Sequence, residues 1–230
     1  MEISKSLIIP CKNEQDGIKK IIMGFSNAVE KDTEILVVVD DENDPTLNSI
    51  PKNIDNLRVC INDLGSGPAN AIQYGINQSQ GTAICIAMGD GSDDPNQVEE
   101  LFSLINRGVS VAVATRYSKG GQYVGSSTLK YLLSRFAGVV LYYLFFIRTK
   151  DPTNMFKAYS KNFLDKVKIE SKNGFTLGLE MTTKAKLNRE KIAEIPTIWI
   201  DREHGETKFS LRKFLPSYLY WVFRLALRRK

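Results

Sequence analysis

The sequence predicts an α/β protein: a mostly parallel central sheet flanked by helices on both faces, with a basic amphipathic helix closing the chain. Runs such as EILVVVD (34–40) and TAICIAM (82–88) are nearly continuously apolar, as in strands buried on both sides, rather than alternating. Segments with apolar residues at helical spacing separate these runs, and alternating strands and helices build parallel sheets. Two runs also stop abruptly in carboxylates, Asp40 and Asp41 after one, Asp90, Asp93 and Asp94 after the other. Clustered carboxylates need a balancing cation when buried, and ligands of open parallel sheets collect beyond the strands' carboxyl ends. The strand ends therefore mark a site.

SLIIP (6–10) reads as a short buried strand stopped by Pro10, and Asn13 is placed to cap a helix carrying Ile18, Ile21, Ile22, Phe25 and Val29. A second strand spans Glu34 to Asp40 and a third Leu57 to Ile61. The glycine-rich turn DLGSGP (63–68), which contains Gly65, opens a helix around Ile72 and Ile76. After the central strand, Pro95 starts a helix with Val98, Leu101, Phe102 and Ile105 on one face, followed by a strand over Val109 to Thr115 and the turn RYSKGG. Leu129 to Ile147 is apolar but interrupted by Lys130, Ser134 and Arg135, which leaves too short a charge-free run to cross a bilayer and predicts a buried or interfacial helix. Gly174 to Leu187 reads as a helix and Ile192 to Ile200 as a strand.

A chain of 230 residues supports one main domain, expected over 1–209, with the basic helix 210–230 as an extension. Cys11, Cys60 and Cys85 have no metal-type spacing and read as small buried hydrophobes in a reducing compartment. The opening MEISKSLIIP lacks the long apolar segment of a secretory signal, so a cytoplasmic location is expected. Of the net charge of +5, Ser210 to Lys230 contributes six basic residues and no acid. The basicity is thus local to the tail, not a nucleic-acid footprint. Phe214, Tyr218, Trp221, Val222 and Leu225 recur at helical spacing beside Arg and Lys, the pattern of a helix drawn to an anionic membrane surface; packing on the domain or an oligomer contact is the alternative.

Oxygen-rich turns after strands suit a hard divalent cation, Mg²⁺ or Mn²⁺, with Asp90 and Ser92 or Asp93 holding it on a diphosphate. Asp40 and Asp41 are placed to accept hydrogen bonds from a base or ribose. Arg116, Arg135, Arg202 and Lys208 are cations with phosphate reach. His204 is the only histidine and lacks the partners of a triad or zinc site, and no Walker loop or GxGxxG is present.

The ordered fragments SLIIPCKNE, VVVDDENDPT, MGDGSDDP, ATRYSKGG, DPTNMFKAY, GLE and DREHGETKF resemble the family 2 glycosyltransferases of the GT-A fold, in particular their polyprenyl-phosphate branch, over about Ser6 to Phe209. The resemblance implies an inverting transfer from a nucleotide-diphosphate sugar (UDP- or GDP-linked), a divalent metal and a polyprenyl phosphate acceptor. It implies a peripheral position at the inner membrane face and leaves open a membrane subunit or homo-oligomer. By position, Pro10, Asn13, Glu14, Asp40, Asp41 and Gly65 are implied to bind the nucleotide, and Asp90 matches the second acid of the family's Asp-x-Asp element, with Ser92 and Asp93 as further metal ligands. Arg116, Arg202 and Lys208 are implied to engage the diphosphate and acceptor phosphate, and Lys130, Ser134, Arg135 and Arg202 the acceptor. Two positions depart from the family pattern: Met88 replaces the first Asp-x-Asp acid, and Met155 replaces a glycine.

A leaving diphosphate builds negative charge that a metal and cations would neutralise. A phosphate acceptor is already ionised; a hydroxyl acceptor would need a base, for which Asp93, Asp94 and Glu180 are the candidates. The alternatives are a soluble transferase acting on a glycan or small-molecule hydroxyl, and a non-catalytic nucleotide-sugar-binding protein.

Overall fold

The computed structural model describes residues 2–15, 17–125, 128–172, 174–201 and 211–227. Its elements run β1 (Lys5–Pro10), α1 (Ile18–Ala28), β2 (Thr33–Val39), β3 (Leu57–Ile61), α2 (Pro68–Gln78), β4 (Ala83–Ile86), α3 (Val98–Asn106), β5 (Val111–Thr115), β6 (Gln122–Val124) and α4 (Thr128–Phe145). Then follow β7 (Lys157–Ser160), α5 (Lys161–Leu164), α6 (Gly174–Leu187), β8 (Ile192–Pro196), β9 (Ile198–Ile200) and α7 (Leu211–Leu227). The main sheet has the order β3-β2-β1-β4-β7-β5-β8, and β6 pairs with β9 in a separate two-stranded ribbon. β7 is antiparallel to both of its neighbours, so the sheet is mixed but mostly parallel.

Strand alternation divides the core into two layers. Leu7, Ile9, Ile35, Val37 and Val39 face one side, where α1 and α3 bring Ile18, Ile22, Phe25, Leu101 and Phe102. Ile8, Leu36 and Val38 face the other, against Ile72 and Ile76 of α2 and Leu177 and Met181 of α6. The period of two along each strand assigns these faces, and covering both explains the continuous apolar runs.

At the amino ends of the strands, buried charges are paired structurally. Lys5 meets Glu30, Asp32 and Glu99, and Glu34 meets Arg58 at 3.0 Å.

Several boundaries differ from expectation. Asn13 does not cap α1: the helix starts at Ile18 after Gly17 with no side-chain cap, while Asn13 itself has φ 59° and donates its backbone N–H to Asp44. The strand read over Ile192 to Ile200 is two, because the chain leaves the main sheet after Pro196 and joins the ribbon at Ile198. The expected Val109–Thr115 strand begins at Val111. All three cysteines are free thiols and buried, as expected.

The closing helix α7 packs one face on the domain. Trp221 and Leu225 are buried with Leu141 and Ile147 from the α4 region and Leu179 of α6. Its other side exposes Leu215, Leu219, Tyr220, Phe223 and Leu227, and α4 exposes Leu132, Phe136, Tyr143 and Leu144. Among the described residues no helix is long and apolar enough to cross a membrane.

Candidate active site

β2 and β4 flank β1 and run parallel to it, so Asp40 and the loop 87–94 emerge at one edge, on either side of Pro10. The close approach is direct. A Cβ on Gly89 would lie 2.7 Å from Cys11 Sγ and 3.1 Å from the Pro10 carbonyl, so only glycine lets the acid loop sit against the end of β1. Burial pushes the Cys11 thiol far up, and the charges of Glu14, Asp44 and Asp90 add to the shift, which places all three acids around this strand end.

Asp40 is held by the turn after β3. Its carboxylate accepts from Asn62 Nδ2 (3.0 Å), Ser66 Oγ (2.9 Å), the Gly67 N–H (2.9 Å) and Lys12 Nζ (3.2 Å). Burial alone would raise this carboxyl, but the four donors outweigh it and hold the group below the ordinary carboxylate range. Gly65 and Gly67 have φ +100° and +123°, conformations open to glycine, and the Gly65 carbonyl accepts from Asn62 at 2.7 Å. Asp41 is exposed and closes a local turn with Asn43. Asp44, which the sequence did not single out, is buried and accepts from the backbone of Asn13 and from Thr46, while Thr46 Oγ1 accepts from Glu14 N. Asp44 and Thr46 thereby shape the loop that carries Asn13 and Glu14.

In the acid loop, Asp90 Oδ1 accepts from the Ser92 backbone at 3.2 Å and its hydroxyl at 2.7 Å, and Asp93 Oδ2 accepts from Met88 N at 2.9 Å. Asp93 is buried. Burial pushes its carboxyl up to about 7; Met88 N and Arg116 oppose this and the Asp90 charge adds to it. Asp94 caps the turn at Pro95, accepting from the Asn96 N–H at 3.0 Å.

Arg116 follows β5 and is locked to Asp151: Nε to Oδ2 and Nη2 to Oδ1 are both 2.7 Å, and the Arg116 N–H reaches Oδ2 at 3.1 Å. Its Nη2 lies 3.5 Å from Ser134 Oγ on α4, which in turn lies 3.2 Å from Thr153 Oγ1. Ring centroids of Tyr117 and Trp199 are 5.1 and 5.7 Å from the guanidinium, and Trp199 stacks on Tyr123 at 4.8 Å. The ribbon also touches the acid loop, through the Ile200 N–H and the Ser92 carbonyl at 3.5 Å.

The fold thus gathers Pro10, Asn13, Glu14, Asp40, Gly65, Asp90, Ser92, Asp93, Arg116 and Ser134 around the carboxyl edge. Arg135 is exposed and donates to Tyr131 Oη at 2.5 Å. Arg202, His204 and Lys208 lie outside the described residues, as does the side chain of Lys130. Glu180 is not a base candidate: it is fully buried in α6, accepts from the backbone of Glu170 and Ser171 and pairs with Lys184 at 2.6 Å. Asp151 and Lys157 escaped the sequence reading because a buried charge leaves no patterning signal, although both lie inside DPTNMFKAY.

Comparison with solved structures defines the class first. Glucosyl-3-phosphoglycerate synthase from Mycobacterium tuberculosis, in complex with Mn²⁺, UDP and glucosyl-3-phosphoglycerate, aligns with a TM-score of 0.71 at 15% identity over 98% of this chain and 79% of that one. The same enzyme with Mg²⁺ and UDP gives 0.70. The architecture is GT-A-like. The family model for glycosyl transferase family 2 matches residues 6–168, and the chain belongs to that family.

Among curated proteins, the chain is 28% identical over 225 residues to a dolichol-phosphate mannosyltransferase of Pyrococcus furiosus, covering 96% of this chain and 63% of that protein. It is 26% identical over 235 residues to a polyprenol monophosphomannose synthase of Mycolicibacterium smegmatis, covering 97% and 88%. The chain therefore spans under two thirds of the Pyrococcus protein's length.

Proposed function

We propose that this glycosyltransferase moves one sugar from a nucleotide-diphosphate sugar, UDP- or GDP-linked, to a polyprenyl phosphate at a membrane surface. The observation that carries this is the convergence of a hydrogen-bonded acid, Asp40, a second acid loop at 90–94 and a clamped arginine, Arg116, at one edge of the sheet. Asp40, with Asn13 and Glu14 nearby, suits a base or ribose, and Arg116 suits phosphoryl oxygens.

The acid loop fits a divalent cation by its donor chemistry. Asp90 and Asp93 are hard oxygen donors on one short loop, with Asp90 Oδ1 held by Ser92 and Asp93 Oδ2 by the Met88 N–H. Met88 contributes no carboxylate, so Asp90, Asp93 and Ser92 would hold Mg²⁺ or Mn²⁺ together with diphosphate oxygens. Such an ion would neutralise charge on the departing diphosphate. Arg116 would hold phosphoryl charge in place, and Arg202 and Lys208 are assigned the same task by position. The names of the two curated relatives support a polyprenyl acceptor. The exposed apolar residues of α4 and α7 support peripheral attachment to lipid, with the exposed Arg135 as an adjacent cation.

Incubation with radiolabelled nucleotide sugars, Mn²⁺ and undecaprenyl phosphate tests the proposal. Label should pass into the organic phase with native protein and stay in the donor with Asp90→Ala. Label in a water-soluble product would point to a hydroxyl acceptor, and donor binding without turnover to a non-catalytic protein.

A further inference from the structure

A lysine buried in the middle of a sheet is costly unless its ammonium is matched by acceptors. Lys157 is such a residue. It lies on β7 between β4 and β5, opposite Ile86 and Val113, and is 0% exposed. Its Nζ donates to the carbonyls of Pro152 (3.0 Å) and Asn154, and approaches that of Gly178 at 3.5 Å. An ammonium has three donors and no acceptor, so three carbonyls match it.

Two of those carbonyls belong to the turn 151–154, and neighbouring elements fasten the same turn. Asn154 Nδ2 donates to the Ala114 carbonyl of β5 at 2.8 Å, Thr182 Oγ1 to Pro152 O at 3.2 Å, and the Asp151 N–H to Thr149 Oγ1 at 3.1 Å. A Cβ on Gly178 would stand 2.8 Å from the carbonyls of both Thr153 and Asn154, so α6 rests directly on the turn. From this turn Asp151 reaches Arg116 with both carboxylate oxygens.

We propose that Lys157 is a positioning residue: its buried ammonium ties down the 152–154 turn so that Asp151 holds Arg116 in one orientation toward the acid loop. A second effect is electrostatic. Burial pushes the Lys157 ammonium down to about 7, with the Asp151 charge opposing and the Arg116 charge adding, so its support of Asp151 is present only while it is protonated. An apolar side chain of similar length would fill the volume but leave the carbonyls of Pro152 and Asn154 without the donors that the ammonium gives them. A lysine here is therefore better explained by orientation than by packing.

The inference deepens the proposed function, because the use of Arg116 rests on that reading, but its first test does not. The Arg116 Nε–H resonance, assigned by its disappearance in Arg116→Lys, should exchange slowly with solvent in the native protein. In Lys157→Met it should exchange about tenfold faster, with circular dichroism and cooperative melting retained. Lys157→Gln, which keeps a polar side chain but loses the charge, gives the same reading if the methionine variant does not fold. Unchanged Arg116 exchange in a folded variant overturns the proposal.

The second test is a double-mutant cycle on sugar transfer. Lys157→Gln should lower kcat about tenfold in the native background and cost nothing further in Arg116→Ala. Additive losses would mean that Lys157 does not act through Arg116. If native protein transfers no sugar while Arg116 exchange still depends on Lys157, the functional reading falls and the positioning role stands.

Discussion

At the scale of single residues, the site depends on donors and small spaces more than on the carboxylates alone. Asp40 is presented by Asn62, Ser66, the Gly67 N–H and Lys12, so Asp40→Asn both removes a charge and mismatches these donors. The expected outcome is a loss of about tenfold or more in nucleotide affinity by calorimetry. Gly89→Ala should be as damaging although it touches no charge, because its Cβ would meet Cys11 Sγ at 2.7 Å and push the acid loop off β1. The check is metal-dependent nucleotide binding, expected to weaken while the melting transition stays cooperative. Asp151 gives a pH prediction. Burial would raise its carboxyl, but Arg116's charge and hydrogen bonds, with Lys157 adding, hold it below the ordinary value of about 3.9. A folded pKa below the unfolded one gives stability that is present above the ordinary value and is lost as pH falls through the folded one. Native protein should therefore lose melting temperature through that acid range more steeply than Asp151→Asn does, as measured by thermal melts from pH 6 down to pH 3.

At the scale of elements, what the sequence disclosed follows from how each element is buried. β1, β2 and β4 are covered on both faces and read as apolar runs, and the acids that end β2 and β4 were legible because carboxylates next to such runs have no place in a core. β7 was hidden: four residues, KAYS, with a lysine at the first position, imitate a loop until the turn 152–154 supplies its carbonyls. The ribbon strands β6 and β9 were hidden too, since three residues each give no period to detect, and their parallel pairing, with Tyr123 stacked on Trp199, joins segments about 75 residues apart. α7 was legible as amphipathic, but its spacing did not say that Trp221 and Leu225 pack on α4 and α6 while Leu219 and Phe223 face outward. That division separates two roles. Trp221→Ala should cost about 3–5 kcal/mol in unfolding free energy. The pair Leu219→Ser and Phe223→Ser should leave the melting temperature within a degree or two and reduce flotation with anionic liposomes; unchanged flotation would argue that these residues do not face lipid.

At the scale of the whole molecule, the two flanks of β1 act together only when something spans them. Asp40 and the acid loop stand on opposite sides of Pro10 and Cys11, and a nucleotide diphosphate with its cation is the kind of ligand that reaches from one to the other. Under the proposed function, metal alone would meet few protein ligands, because Met88 supplies none, and nucleotide alone would leave Asp90 and Asp93 facing diphosphate charge. Stabilisation should therefore be far greater with both present than the sum of each. At a hundredfold excess over the dissociation constant, linkage gives about 2.7 kcal/mol, which for a domain of this size is a rise of roughly 5–10 °C. Scanning UDP and GDP, each with and without Mn²⁺, should find one nucleotide that produces such a shift only with metal. Asp90→Ala should abolish the metal-dependent part, and Asp40→Asn should shrink the shift with and without metal, because it loosens the nucleotide end. Equal shifts for metal-free and metal-loaded nucleotide in the native protein would mean that the acid loop holds no bridging cation and that cationic side chains carry the diphosphate instead.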